Sequence, residues 1–159
     1  MEYSNAWLHL QKAKEEYDAS YSAFMRDEAV MMSDFGVAMP TGDRLAALGI
    51  LVEVLPRVEL LFSLLADIMN AAIDSSYVPT IMLAREVLQH YKEESRVRSA
   101  IHTCVATYLA ENDEWHYRRI TELYEVLNYQ EELASFLLIC QANSNLEIQE
   151  IASDYGLEG

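Results

Sequence analysis

The sequence contains little of what all-β, disulfide-stabilised or membrane-spanning proteins need. Five glycines and three prolines among 159 residues are too few for the many tight turns of an all-β chain. Two cysteines, Cys104 and Cys140, do not make a disulfide framework, and both lie in apolar helical stretches, so we expect reduced thiols in a cytoplasmic protein. The N-terminal residues lack a basic segment followed by an apolar run, and the most apolar stretch, 45–55, is interrupted by Glu53. We therefore expect neither a signal peptide nor a membrane-spanning helix.

Sequence patterns of catalysis and metal binding are also missing. There is no G-x-S-x-G turn, no glycine-rich phosphate loop and no cysteine in a strained glycine setting. The four histidines give single pairs, such as Glu86 with His90 or Asp113 with His116, without the matching second half that a helical metal site requires. We therefore predict no catalytic residue, no metal and no cofactor. A small helical enzyme is the alternative, which a ligand bound in a cavity would favour.

Positive charge is scarce and unevenly placed. Lys and Arg number 11 against 26 Asp and Glu, which gives a formal net charge of −15. From Ile120 to the C-terminus there is no Lys or Arg, and the acids there are Glu122, Glu125, Glu131, Glu132, Glu147, Glu150, Asp154 and Glu158. This balance disfavours nucleic acids and anionic membranes as direct ligands and favours a basic partner.

Apolar periodicity predicts an all-α fold with a single domain over residues 1–159. We expect a long first helix over about 4–32, with an aromatic and apolar stripe that packs against the rest of the domain. The stripe comprises Tyr3, Trp7, Leu10, Tyr17, Tyr21, Phe24 and Met31, with Lys14 and Glu28 at the remaining positions of the same spacing. A dimeric coiled coil is the alternative, although aromatic residues pack poorly in such seams and only about four heptads exist. A loop is expected over about 35–42, which contains Gly36, Pro40 and Gly42.

Seven further helices are expected between residues 43 and 155. They cover about 43–54, 56–73, 78–91, 95–109, 113–127, 130–142 and 145–154, with Pro56 opening the second and a Ser144–Glu147 capping box before the last. The segment 57–73 is apolar on nearly every side and should lie near the centre of the fold.

The predicted helices resemble HEAT-type repeats at two places. The opening of 95–109, Arg-Val-Arg-x-Ala-Ile, resembles the second helix of a HEAT unit, and 145–152 resembles a degenerate second copy about 50 residues later. In such stacks an arginine at the place of Arg98 serves packing and pairing between repeats. We therefore expect a HEAT-like stack of antiparallel helix pairs, with an irregular helical bundle as the alternative.

The acidic C-terminal region is the candidate functional site. Glu147, Glu150 and Asp154 are three and four residues apart and so share one helix face, as do Glu122 and Glu125. Tyrosine is enriched in the cores of protein interfaces, and four tyrosines lie near these acids in the sequence: Tyr117, Tyr124, Tyr129 and Tyr155. We predict a partner-binding surface composed of Glu122, Glu125, Glu131, Glu132, Glu147, Glu150 and Asp154, with Tyr124 and Tyr129 as secondary contacts. The alternative for each single acid is a solvated exterior.

The segment Asp113–Tyr155 also resembles part of a known protein class. It reads D-E-W-x-Y-R-R-I-x-E-L-Y-E-x-L, then E-L-x-x-x-L, then S-N-x-E-I-x-E-I-A-x-D-Y. This pattern is similar to the C-terminal half of small helical bacterial immunity proteins that accompany polymorphic or contact-dependent toxins. Residues 1–75 neither support nor oppose the resemblance.

The resemblance implies a cytoplasmic protein without catalysis of its own, which binds one cognate toxin domain and blocks its active site. Many such toxins are nucleases with basic surfaces, and an acidic surface would suit one by charge complementarity. Two other kinds of binding protein stay open: a helical-repeat adaptor for another basic protein, and a nucleic-acid mimic that occupies a DNA-binding enzyme.

Overall fold

The computed structural model describes residues 3–156, and every regular element in that range is an α-helix. The nine helices are α1 Asn5–Phe24, α2 Glu28–Ala38, α3 Arg44–Val54, α4 Val58–Ile73, α5 Val78–His90, α6 Ser95–Leu109, α7 Glu114–Leu127, α8 Gln130–Gln141 and α9 Leu146–Asp154. The predicted all-α fold is confirmed. None of these helices is both long enough and apolar enough to cross a bilayer.

The N-terminal region differs most from the sequence-based expectation. The helix expected over 4–32 is divided in two, because the chain turns at residues 25–27 and Asp27 starts a new helix. The Asp27 carboxylate accepts hydrogen bonds from the backbone N–H groups of Ala29 and Val30, both at 3.1 Å, which satisfies two free donors of α2. This cap, together with the turn before it, outweighs the continuous apolar spacing of the sequence.

Two connections also differ in detail from those expected. The loop predicted over 35–42 begins later, since α2 continues to Ala38. The last helix is capped by Asn145 rather than Ser144, because the Asn145 side chain accepts the N–H of Glu147 at 3.0 Å. Elsewhere the observed helix ends lie within a residue or two of the predicted ones.

Helix packing arranges most of the chain in two rows. In one row α3, α5, α7 and α9 each contact the next, and α2, α4 and α6 form a second row beside it. Helix α4 contacts α2, α5, α6 and α7, so it lies at the centre, with Leu61, Ile68 and Ile73 fully buried. The second row does not continue in the same way after α6. Within residues 3–156, α6 and α8 do not pack against each other as closely as α2 packs against α4 or α4 against α6. This arrangement alone does not establish a HEAT repeat, which stays a prediction.

Helix α1 lies outside both rows. It has no buried residue, and its expected packing stripe is largely in solvent, with Tyr3 72%, Leu10 61% and Tyr17 51% exposed. The contacts that attach it come from its C-terminal half, where the ring of Phe24 meets that of Phe35 edge-on at 5.7 Å between centroids. The expectation that this stripe packs against the rest of the domain does not hold for the N-terminal part of α1.

Candidate partner-binding site

A groove lies between α6 and α8, where the second row of helices is interrupted. Its volume is about 400 Å³. The buried rings of Tyr124 and Phe136 form its floor, and Val105 and Ile139 contribute aliphatic surface to its walls. Ile139 is 47% exposed, so part of this apolar surface meets solvent. An open, mainly apolar groove of this size can receive one or two side chains of a partner protein, and its volume also lies within the range of small-molecule sites.

Two neighbouring acids from the first turn of α8 lie beside this groove. Glu132 accepts two hydrogen bonds from the guanidinium of Arg98 on α6, at 2.5 and 2.6 Å, and these bonds lower the pKa of the Glu132 carboxyl. The Arg98 guanidinium also lies over the ring of Tyr129 at 4.6 Å from its centroid. Glu131 is exposed and forms no ion pair within residues 3–156. The groove therefore has one neutralised and one free carboxylate at its acidic end.

Glu122 is held by two arginines of the same molecule. One carboxylate oxygen lies 2.9 Å from Arg85 of α5 and 2.9 Å from Arg119 of α7. Burial raises the pKa of Glu122, but the hydrogen bonds from Arg119 and Arg85 outweigh it, so the pKa lies below its ordinary value. The Arg119 guanidinium is in turn stacked on the Trp115 ring, 4.2 Å from its centroid. Glu122 thus links α5 to α7 and contributes little free charge to a partner.

Asp154 and Glu125 also have partners within the molecule. Asp154 lies 3.3 Å from a guanidinium nitrogen of Arg118, which also pairs with Glu114 one helical turn away. Glu125 is hydrogen-bonded with the hydroxyl of Tyr155, and burial together with this bond raises the pKa of that tyrosine. Both acids therefore help to hold α9 against α7.

The remaining predicted acids are free. Glu147 and Glu150 are exposed on α9 and form no ion pair in the described part of the chain. Neither lines the groove, whose acids are Glu131 and Glu132. Glu158 lies outside the described residues. The seven predicted acids therefore form several small groups rather than one continuous surface.

The two tyrosines predicted as secondary contacts are buried, and only the ring of Tyr124 reaches the groove, as part of its floor. Tyr124 is 2% exposed, and burial raises its pKa to about 12. The Tyr129 hydroxyl donates a hydrogen bond to the backbone carbonyl of Lys92 at 2.8 Å. The reason is helical phase: Tyr124 is four residues from Ile120, on the face of α7 that packs into the core.

The walls of the groove could not be identified from the sequence. Val105 and Leu109 fit the ordinary apolar pattern of α6, and only the distance between α6 and α8 exposes them to a groove. One local signal was present on α8, where Leu138 and Ile139 extend the apolar run beyond the face that α8 buries. Leu138 and Ile139 therefore add apolar surface on the solvent side of α8, and Ile139 is the one of the two that lines the groove.

The structure shows no group of three metal-ligating side chains within residues 3–156. The most enclosed histidine, His116, lies between two carboxylates, with Nε2 3.1 Å from Asp74 and Nδ1 3.3 Å from Glu111. These contacts join the end of α4 to the start of α7. His116 is therefore placed to hold two helices together.

Comparisons of this chain with protein-family models, with curated proteins and with solved structures find no match. The resemblance of Asp113–Tyr155 to immunity proteins gains no support from them and meets no contradiction. Function must therefore be argued from the geometry itself.

Proposed function

We propose that this chain is an inhibitory binding protein, an immunity protein that neutralises a basic toxin domain by docking it on the groove between α6 and α8. The observation that carries the proposal is the open apolar groove with Glu131 free at its acidic end. A matching partner would place an apolar side chain over Phe136 and Ile139 and a Lys or Arg beside Glu131. Apolar anchors surrounded by complementary charge are the usual composition of a specific protein interface.

The overall charge supports the same class of partner. A net charge of −15 attracts a basic protein over several ångströms and raises the rate of encounter. Because Glu122, Glu132 and Asp154 are paired with arginines, the groove and the free acids carry the recognition in this proposal, rather than the whole acidic tail.

Nucleic-acid mimicry is the less favoured candidate. A mimic needs a line of free carboxylates spaced like phosphates along an elongated face. Three of the seven predicted acids are neutralised by arginines of the same molecule, and the groove is mainly apolar. An adaptor for another basic protein would use the same groove, so it must be separated from an immunity protein by experiment.

The test is protection of cells against a toxin. An immunity protein is expected to be encoded directly beside a large secreted toxin, and the toxin domain of that neighbour is expressed in a bacterial host, with and without the chain, while growth is measured. An immunity protein restores growth, and the purified pair forms a complex by isothermal titration calorimetry. If wild-type chain neither restores growth nor binds that domain, the immunity function is wrong; binding without protection would favour the adaptor.

Variants then locate the contact. Ile139→Asp in the groove is expected to weaken binding at least about tenfold, because it places a charge at the apolar anchor site. Met82→Asp is the matched control, since Met82 is an exposed apolar residue on α5 that does not line the groove. Glu131→Lys should weaken binding as well, whereas Glu15→Lys on α1 should leave it unchanged. Equal affinities for Ile139→Asp and Met82→Asp would remove the groove from the proposal.

A further inference from the structure

Arg98 lies at the acidic end of the groove with two carboxylates close to it. Its guanidinium donates hydrogen bonds to both carboxylate oxygens of Glu132, at 2.5 and 2.6 Å. Hydrogen bonding to Glu132 raises the pKa of Arg98, and the negative charge of Glu131 adds to that increase. Glu131 is therefore near enough to attract Arg98, although Glu132 is the acid that Arg98 binds.

The position of Arg98 is fixed from two sides. The ring of Tyr129 lies under the guanidinium, 4.6 Å from centroid to carbon, and the Tyr129 hydroxyl is itself held by the backbone carbonyl of Lys92 at 2.8 Å. A guanidinium is planar and matches a carboxylate through two parallel N–H groups. Glu132 occupies such a pair of N–H groups on Arg98, which leaves the charge of Glu131 unneutralised.

The groove continues past these two acids into a polar part. Glu131 and Glu132 are the two carboxylates that line it, together with Ser95, Arg98, Ser99, His102 and Thr103. If the charge of Glu132 is removed, Glu131 is the carboxylate that remains beside Arg98 in this part of the groove. A guanidinium binds an ionised carboxylate more strongly than a neutral amide, so Arg98 would then pair with Glu131.

We propose that Glu132 is a positioning residue of the binding groove: it holds Arg98 and thereby keeps Glu131 free for a Lys or Arg of the partner. This inference rests on the proposed binding of a basic protein between α6 and α8. Glu132 makes no contact with the partner in this scheme. It acts through Arg98, and it decides which of two adjacent acids is available for recognition.

Binding of the toxin domain, measured by isothermal titration calorimetry, tests this role. Glu132→Gln should raise the dissociation constant about threefold, as much as Glu131→Gln does, because Arg98 then neutralises Glu131. Combining Glu132→Gln with Arg98→Met should restore the wild-type dissociation constant. The double variant has the net charge of wild type and no arginine at this position to neutralise Glu131. A double variant that binds as weakly as Glu132→Gln overturns the inference.

Glu59→Gln is the matched control. Glu59 also pairs with an arginine of α6, since its carboxylate lies 3.7 Å from Arg96, but neither residue lines the groove. The control changes the net charge by the same amount and also deprives an arginine of its partner. Its dissociation constant should stay close to that of wild type. Equal losses for Glu59→Gln and Glu132→Gln would mean that only overall charge matters, which overturns the positioning role.

A crystal structure of the Glu132→Gln variant tests the exchange of partners without any toxin. Arg98 should be hydrogen-bonded to Glu131 in that structure. The inference is overturned if the guanidinium stays on the substituted side chain, whatever the toxin experiments show.

Failure of this inference can be told apart from failure of the proposed function. If Ile139→Asp and Glu131→Gln weaken binding but Glu132→Gln does not, the groove stands and the role of Glu132 falls. If wild-type chain does not bind the toxin domain, or Ile139→Asp has no effect, the proposed binding in the groove falls and the role of Glu132 falls with it.

Discussion

Helices α1 and α7 show that the same kind of sequence pattern can lead to opposite environments. Both have aromatic and aliphatic residues at helical spacing, and both begin at a residue whose side chain accepts a backbone N–H, Ser4 for α1 and Asp113 for α7. Yet none of the 20 residues of α1 is buried, whereas seven of the 14 residues of α7 are. Amphipathic spacing therefore predicts a helix and the direction of its apolar face, but not whether the chain itself supplies the covering surface.

The largest expected difference between the two helices concerns aliphatic truncation. Ile120→Ala on α7 should lower the free energy of unfolding by about 3 kcal/mol, because Ile120 is fully buried and its loss leaves a cavity. Leu10→Ala on α1 should change it by less than about 0.5 kcal/mol. Urea denaturation measures both. Comparable losses would mean that α1 is part of the cooperative core.

Ion pairs should show a smaller difference. Glu122→Gln should lower the free energy of unfolding by about 1–2 kcal/mol, allowing for partial exposure, since two arginines lose their charged partner. Asp18→Asn breaks the exposed pair with Lys14 on α1 and should have no measurable effect. The same urea experiment at neutral pH compares them.

The pH dependence of Glu122 follows from the direction of its pKa shift. Because the folded-state pKa lies below that of the unfolded chain, Glu122 contributes stability above the ordinary glutamate pKa, about 4.3, and loses it as the pH falls through the folded value. Wild type should therefore lose more stability on acidification below about pH 4.5 than Glu122→Gln does. Parallel pH profiles for the two proteins would contradict the assignment.

Helix caps should give the smallest difference. Asp113 accepts the N–H of Trp115 at 2.8 Å, and Asp113→Ala should lower the free energy of unfolding by about 1 kcal/mol because α7 is part of the core. Ser4 accepts the N–H of Trp7 at 3.2 Å, but Ser4→Ala should affect only the local helicity of α1. Thermal unfolding reports the first, and amide hydrogen exchange at residues 5–10 reports the second. A global loss caused by Ser4→Ala would show that α1 unfolds together with the body.

How much of the structure could be predicted from the sequence also differs between regions of the molecule. The ends of α6 were predicted exactly where they are observed, because its apolar period is long and its flanks are polar. The division at Asp27 was missed, since an aspartate on a helical surface and an aspartate that caps a new helix look alike in sequence. The surroundings of the predicted acids could not be read from the sequence for another reason: it shows that the C-terminal region lacks Lys and Arg, but not that Arg85 and Arg98 reach it from other helices.

The sequence by itself determined that this protein is helical, where most of its helices begin and end, and that it carries a large excess of negative charge. These properties depend on neighbouring residues and on composition. Only the tertiary structure decided that Tyr124 is buried, that Glu122 and Glu132 are neutralised, that a groove opens between α6 and α8 and that the N-terminal part of the α1 stripe is exposed. Each of these depends on the distance between helices that are far apart in sequence, and periodicity within one helix carries no information about that distance.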